Sequence, residues 1–192
     1  MKDLNPVQVF GKRRFFISTF LLLLCINPVT EEQILRSPLI FMLTHYGLYA
    51  AGIYLGQGRR GTLSYVILGI VPAVVWHLPW TFALSAGSLY FRAIDQVTMF
   101  LGGFLIGSGL SSLSQRAKAL LFGLWMVSDT TLSVLFMTSS SYYTFLFVPY
   151  SPYSPNQLPA AGYGTFFLMN MLAVYVLMLY LNRVFEKDGG ES

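Results

Sequence analysis

Four ionisable side chains interrupt otherwise apolar stretches of the sequence: His45, His77, Asp95 and Asp129. Inside a bilayer such groups are costly, and they either pair with a partner or line a site. The most concentrated signal is Trp76-His77-Leu78-Pro79-Trp80. Pro79 has no N–H to donate, so it frees the carbonyl of Val75 one turn back and bends the chain beside the imidazole. Methionines accompany the ionisable groups: Met42 precedes His45 by one turn, Met99 follows Asp95, and Met126 precedes Asp129. Residues three or four apart share a helix face. Imidazole suits copper, iron and zinc, while thioether favours Cu(I). Two histidines on neighbouring helices also match the axial ligands of a b-type haem, and Asp/His chains serve as proton relays. Against all of these stands a structural reading, in which the histidines and carboxylates pair with one another or with freed carbonyls.

These residues need elements to hold them, and the composition says which. Hydrophobic residues make up 55% of the 192 residues and charged residues 10%, where a water-soluble domain carries about 25% charge. Apolar runs of about 20 residues recur, the length that crosses ~30 Å of hydrocarbon as helix. The expected fold is all-α, a polytopic six-helix transmembrane bundle with spans near 15–30, 38–56, 62–84, 90–113, 119–138 and 164–182. Residues 1–14 read as a basic head, 139–163 as an aromatic, proline-rich outer loop, and 183–192 as a polar tail. Gly103 and Gly107 on the fourth span have the small-xxx-small spacing of close helix packing. The face carrying Asp95 runs on through Met99 to Gly102 and Gly103, and reads as a packed face.

Topology follows from the basic residues. With the N-terminus inside, Lys2, Lys12, Arg13, Arg14, Arg59, Arg60, Arg116, Lys118, Arg183 and Lys187 fall on the inner side, and only Arg36 and Arg92 on the outer. That bias places both termini in the cytoplasm. His45, His77, Asp95 and Asp129 then share the outer half of the bilayer, roughly 7–14 Å below its surface. The net charge of +4 is a topology signal rather than a nucleic-acid footprint. The single cysteine, Cys25, excludes an internal disulfide. No phosphate-binding loop, dinucleotide fingerprint, His-Glu-x-x-His or Gly-x-Ser-x-Gly motif occurs, so no catalytic residue is assigned and the expected role is non-enzymatic.

Trp76-His77-Leu78-Pro79, followed by Ile94-Asp95-Gln96 and a glycine-rich apolar helix, resembles the CtaG family of membrane proteins linked to copper-centre assembly in cytochrome c oxidase. Phe41-Met42-Leu43-Thr44-His45 is similar to that family's histidine-methionine-x-glutamine-histidine element. The segment from Asn156-Gln157 through Ala161-Gly162 to Met169 is similar to its last conserved stretch. The likeness covers roughly 38–182, at the level of motifs. Phe41 stands in place of the family's first histidine, Thr44 of its glutamine, Gln96 of a histidine and Asn156 of an aspartate. The chain looks like a short, divergent, archaeal-type relative. The resemblance implies a metal set of His45, His77, Met42, Asp95 and Met169; Asp129 is a further buried polar group, read from its depth on the fifth span. The resemblance also implies copper as cofactor (haem b being the alternative), and respiratory oxidase subunits as partners beside the lipid bilayer. Two other roles stay open: a structural subunit of a respiratory complex, and a b-type haem electron carrier.

Overall fold

The computed structural model describes residues 6–138 and 140–188; Lys2 and the last residues of the tail, 189–192, lie outside them, as does Ser139. Within the described residues the chain is helical, with no strand. The helices are α1 (Pro6–Cys25), α2 (Pro28–Arg36), α3 (Pro38–Gly56), α4 (Leu63–Val75), α5 (Pro79–Gly87), α6 (Leu89–Gly109), α7 (Gln115–Thr138) and α8 (Leu158–Asp188). Four of them (α3, α6, α7 and α8) are long and apolar enough to cross a membrane; counting α1–α2 and α4–α5 as bent spans gives six.

Both bends have local causes. Asn27 caps α2 by accepting from the Thr30 amide at 3.0 Å, while its own amide group donates to the Leu24 carbonyl at 2.8 Å. Pro28, the first residue of α2, has the fixed φ of a helix start and no N–H to continue α1. The axis turns by 52° there. The expected first span, 15–30, therefore ends earlier, and its polar continuation to Arg36 is a helix of its own. At the second break the axis turns by 74°. Trp76-His77-Leu78 leaves the helix and Pro79 starts a new one. The Val75 carbonyl, freed as the sequence requires, accepts from the Leu78 amide at 3.3 Å and from the Thr81 hydroxyl. The unwound His77 carbonyl accepts from the Tyr143 hydroxyl at 3.2 Å.

Glycines set how closely the central helices approach. A Cβ at Gly103 would collide with the Tyr49 carbonyl, one at Gly107 with Ile53, and one at Gly52 with Phe100. The backbones of α3 and α6 therefore touch along three turns. Gly69 of α4 and Gly102 of α6 meet in the same way, each 2.6–2.8 Å (as Cβ) from the other's carbonyl. Along α6 the buried residues Arg92, Asp95, Gln96, Met99, Gly102, Gly103, Ile106 and Gly107 form one stripe at helical spacing. It is the packed face the sequence indicates.

Helices α7 and α8 pair beside this core, joined by the Ser133 and Thr165 hydroxyls at 2.8 Å. The segment between them departs from the expected loop at both ends. It opens with a short 3₁₀ turn, Ser140–Tyr143, and α8 begins at Leu158 rather than near 164. Its middle is folded in: Tyr143, Val148 and Tyr153 are buried. The Tyr153 hydroxyl donates to the Ile34 carbonyl at 2.6 Å, and the Gln157 amide to the Arg36 carbonyl at 2.9 Å. Loop and α2 thus close one end of the bundle together. Beneath them Phe41, Phe82, Phe136, Tyr143 and Tyr153 form a continuous aromatic layer, with neighbouring ring centroids 4.9–6.4 Å apart.

Candidate functional site

Under that aromatic layer lie His45 and Asp95. His45 is on α3, two turns from Pro38, or about 10 Å below the helix start. The edge of Phe41 packs against its ring at a centroid distance of 4.4 Å. Asp95 comes from the facing stripe of α6. Both side chains are almost wholly buried, 2% and 1% exposed, and His45 Nε2 lies 2.9 Å from Asp95 Oδ2. His77 comes from the break between α4 and α5, its ring centroid 5.3 Å from that of His45 and tilted by 56°. Three helical segments distant in sequence thus bring two imidazoles and a carboxylate together.

The backbone fixes the proton arrangement. His45 Nδ1–H donates to the Phe41 carbonyl at 2.8 Å, and His77 Nδ1–H to the Ala73 carbonyl at 2.5 Å. In a neutral imidazole whose Nδ1 carries the hydrogen, Nε2 carries a lone pair. His45 Nε2, His77 Nε2 and both oxygens of Asp95 are buried without an aligned hydrogen-bond partner. The 2.9 Å His45–Asp95 approach is a close polar contact rather than an aligned hydrogen bond, and becomes an ion pair only when His45 is protonated. Buried polar atoms are nearly always satisfied, and this group consists of acceptors with no donor among them. A positive charge is what such a cluster accommodates: a proton on His45 Nε2, giving an imidazolium–carboxylate pair, or a bound cation.

The donor set fits a metal in part. Two ligand atoms 2.9 Å apart suit one ion with bonds of about 2.0–2.1 Å at a near-right angle. The third ligand is not in place: among the described residues no three His, Cys, Asp or Glu side chains gather around one point. The methionines divide. Met42 belongs to the aromatic core with Phe41 and Phe82. Met99 packs with Trp76, Leu48 and Cys25. Met169 is buried in α8. Asp129 does not join the histidines as its depth invites; it accepts from the Tyr46 hydroxyl at 2.8 Å. Two surface depressions, of about 550 and 400 Å³, lie along Leu84–Phe91 with Tyr150 and along Glu31–Leu35 with Arg92; neither is lined by a histidine.

One group escapes a reading of the sequence. Arg92, counted above as an outer topological charge, is 3% exposed. Its Nε donates to the Ser85 carbonyl at 3.1 Å and Nη2 to the Ala86 carbonyl, closing the C-terminal end of α5. Its Nη1 meets Glu31 of α2 at 3.0 Å, and Gln96 donates to the same carboxylate at 2.5 Å. The signal was its place on the Asp95 face, three residues earlier. Arg92→Met leaves two carbonyls without their donor and Glu31 without its counter-ion. The variant is expected to lose about 2–3 kcal/mol, read as a lowered unfolding midpoint in detergent, with Arg92→Lys recovering part of the loss. An unchanged midpoint would show that α2 and α5 are held by packing alone.

No curated protein and no solved structure matches the chain. A family model described as a protein of unknown function, DUF1404, matches residues 16–183, from within α1 to within α8. The chain belongs to that family.

Proposed function

We propose that this is an integral membrane protein, with both termini in the cytoplasm, that holds a copper ion at His45, Asp95 and His77 in the outer half of the bilayer. In this reading it is a non-enzymatic factor in the biogenesis of a haem-copper oxidase. The observation that carries it is the cluster of four buried acceptor atoms with no donor. The resemblance to the CtaG family supplies the copper and the oxidase. His45 and Asp95 are the first two ligands, His77 the third by turning its ring, and Met42 and Met169 belong to the surrounding set. Bound copper would supply the positive charge that the acceptors lack. The chain's own part is to orient His45 through the Phe41 carbonyl and to keep water out with the aromatic layer.

The test is metal analysis of protein purified in detergent after copper loading and desalting. One equivalent of copper is expected in the wild type, falling at least tenfold in His45→Ala and His77→Ala. A deletion strain should assemble less oxidase, seen as a weaker oxidase absorbance in its membranes. No copper in the wild type and unaltered oxidase would overturn the reading. A Soret band lost on mutating either histidine would replace copper by haem b.

The direct 2.9 Å approach of His45 and Asp95 favours a second reading, in which the pair is structural and the protein is a subunit of a respiratory complex. Co-purification with oxidase subunits, without an assembly defect on deletion, distinguishes it.

A further inference from the structure

Asn170 lies near the middle of α8's apolar window, Leu158–Leu179, twelve residues (about 18 Å) from the start of the helix. It is exposed. Its neighbours on that side, Phe166, Phe167, Val174 and Leu177, are exposed apolar side chains. In the most apolar 18-residue stretch of α8 only 17% of the residues are buried, against 44% on α3 and 50% on α6, so this helix borders the bundle. A carboxamide facing hydrocarbon is costly unless its hydrogen-bonding groups are matched. Nδ2 spends one hydrogen on the Phe166 carbonyl at 2.7 Å. One N–H and the Oδ1 acceptor remain.

We propose that α8 packs against α8 of a second copy of this chain, with the two Asn170 carboxamides paired across a two-fold axis along the membrane normal. One free donor and one free acceptor form a self-complementary set. Two copies inserted in the same direction hold equivalent residues at the same depth, and a two-fold axis exchanges donor for acceptor and satisfies both. A different protein would need its own donor and acceptor placed together at that depth, which a second copy holds by symmetry. Ala173, a half-buried small residue one turn from Asn170, allows the backbones to approach. The inference rests on α8 being a membrane span and is independent of copper.

The experiment uses the full chain in phosphatidylcholine vesicles, labelled with donor or acceptor dye at random and diluted with lipid. Energy transfer between copies is expected, with half-loss at a protein:lipid ratio at least tenfold higher for Asn170→Leu than for the wild type or Asn170→Gln. A tenfold shift corresponds to about 1.4 kcal/mol. A second measurement is oxidative cross-linking of Val174→Cys in a Cys25→Ala background, expected to give a dimer that Asn170→Leu removes. Absence of transfer in the wild type, a dimer indifferent to Asn170→Leu, or stoichiometric recovery of a different chain lost in that variant would each overturn the proposal. Alkaline extraction of the membranes separates this from failure of the membrane reading, because release of the protein would show that α8 is not a span at all.

Discussion

Replacing Gly103 with leucine is expected to deprive the protein of its folded state. At this position the α6 backbone rests on the Tyr49 carbonyl of α3, and even a Cβ has no room. The obstacle is main chain in a second helix, which no rotamer change can move aside. The two helices must separate, and the contacts at Gly52, Gly56 and Gly107 open with them. Overpacking a core by a few methylenes typically costs 1–3 kcal/mol, and a clash with backbone belongs at or beyond the upper end, about 3 kcal/mol or more. Separation also parts His45 on α3 from Asp95 on α6, so the copper retention proposed above should disappear as well. Gly123→Leu is the control: a Cβ at Gly123 meets nothing within 4 Å. That variant should elute and melt like the wild type while Gly103→Leu aggregates or melts at room temperature. Equal behaviour of the two would mean that α3 and α6 do not pack in this register.

The second large effect concerns Asp95, and the outcome depends on which residue replaces it. Asp95→Leu removes the carboxylate and leaves His45 Nε2 buried beside hydrocarbon. Breaking a buried charge pair by deleting one partner costs about 3–5 kcal/mol. Asp95→Asn keeps the shape and supplies an N–H that can donate to the Nε2 lone pair, so its melting should stay within about 1 kcal/mol of the wild type. Both variants should lose copper. A further double variant, His45→Phe with Asp95→Leu, should regain most of the stability, since hydrophobic replacement of a whole buried pair is often neutral. Thermal melts of the four proteins in one detergent decide the matter. If Asp95→Leu were as stable as Asp95→Asn, the imidazolium–carboxylate pairing of His45 with Asp95 would be wrong.

Much of the architecture was readable from residue order. The apolar runs of 38–56 and 119–138 match α3 and the greater part of α7, because length and hydropathy alone specify such helices. Pro79 announced the break beside His77, a purely local consequence of a missing N–H. The stripe Asp95–Met99–Gly102–Gly103 read as packed, and it is. Other features were opaque for physical reasons. The first span was expected to run to about residue 30, and no periodicity in Thr30–Ser37 required a separate helix. That segment is held by Arg92, Tyr153 and Gln157, which are 61 to 121 residues from their partners in sequence. The segment before α8 read only as an aromatic, proline-rich outer loop, and no local pattern told that Tyr143 and Tyr153 fill the end of the bundle.

What the sequence determined by itself is a set of long apolar helices, the bend that Pro79 makes beside His77, and the depth of each ionisable group along its own helix. Depth is counted along a chain, and 1.5 Å per residue suffices for it. Azimuth is not: which way a side chain points across the bundle depends on how neighbouring helices rotate against one another. Only the tertiary structure decided that His45, Asp95 and His77 face each other while Asp129, at a similar depth, turns to Tyr46. The glycines of α3 and α6 made that decision, since close backbone contact permits one rotation of the pair and that rotation aims both side chains at the same point.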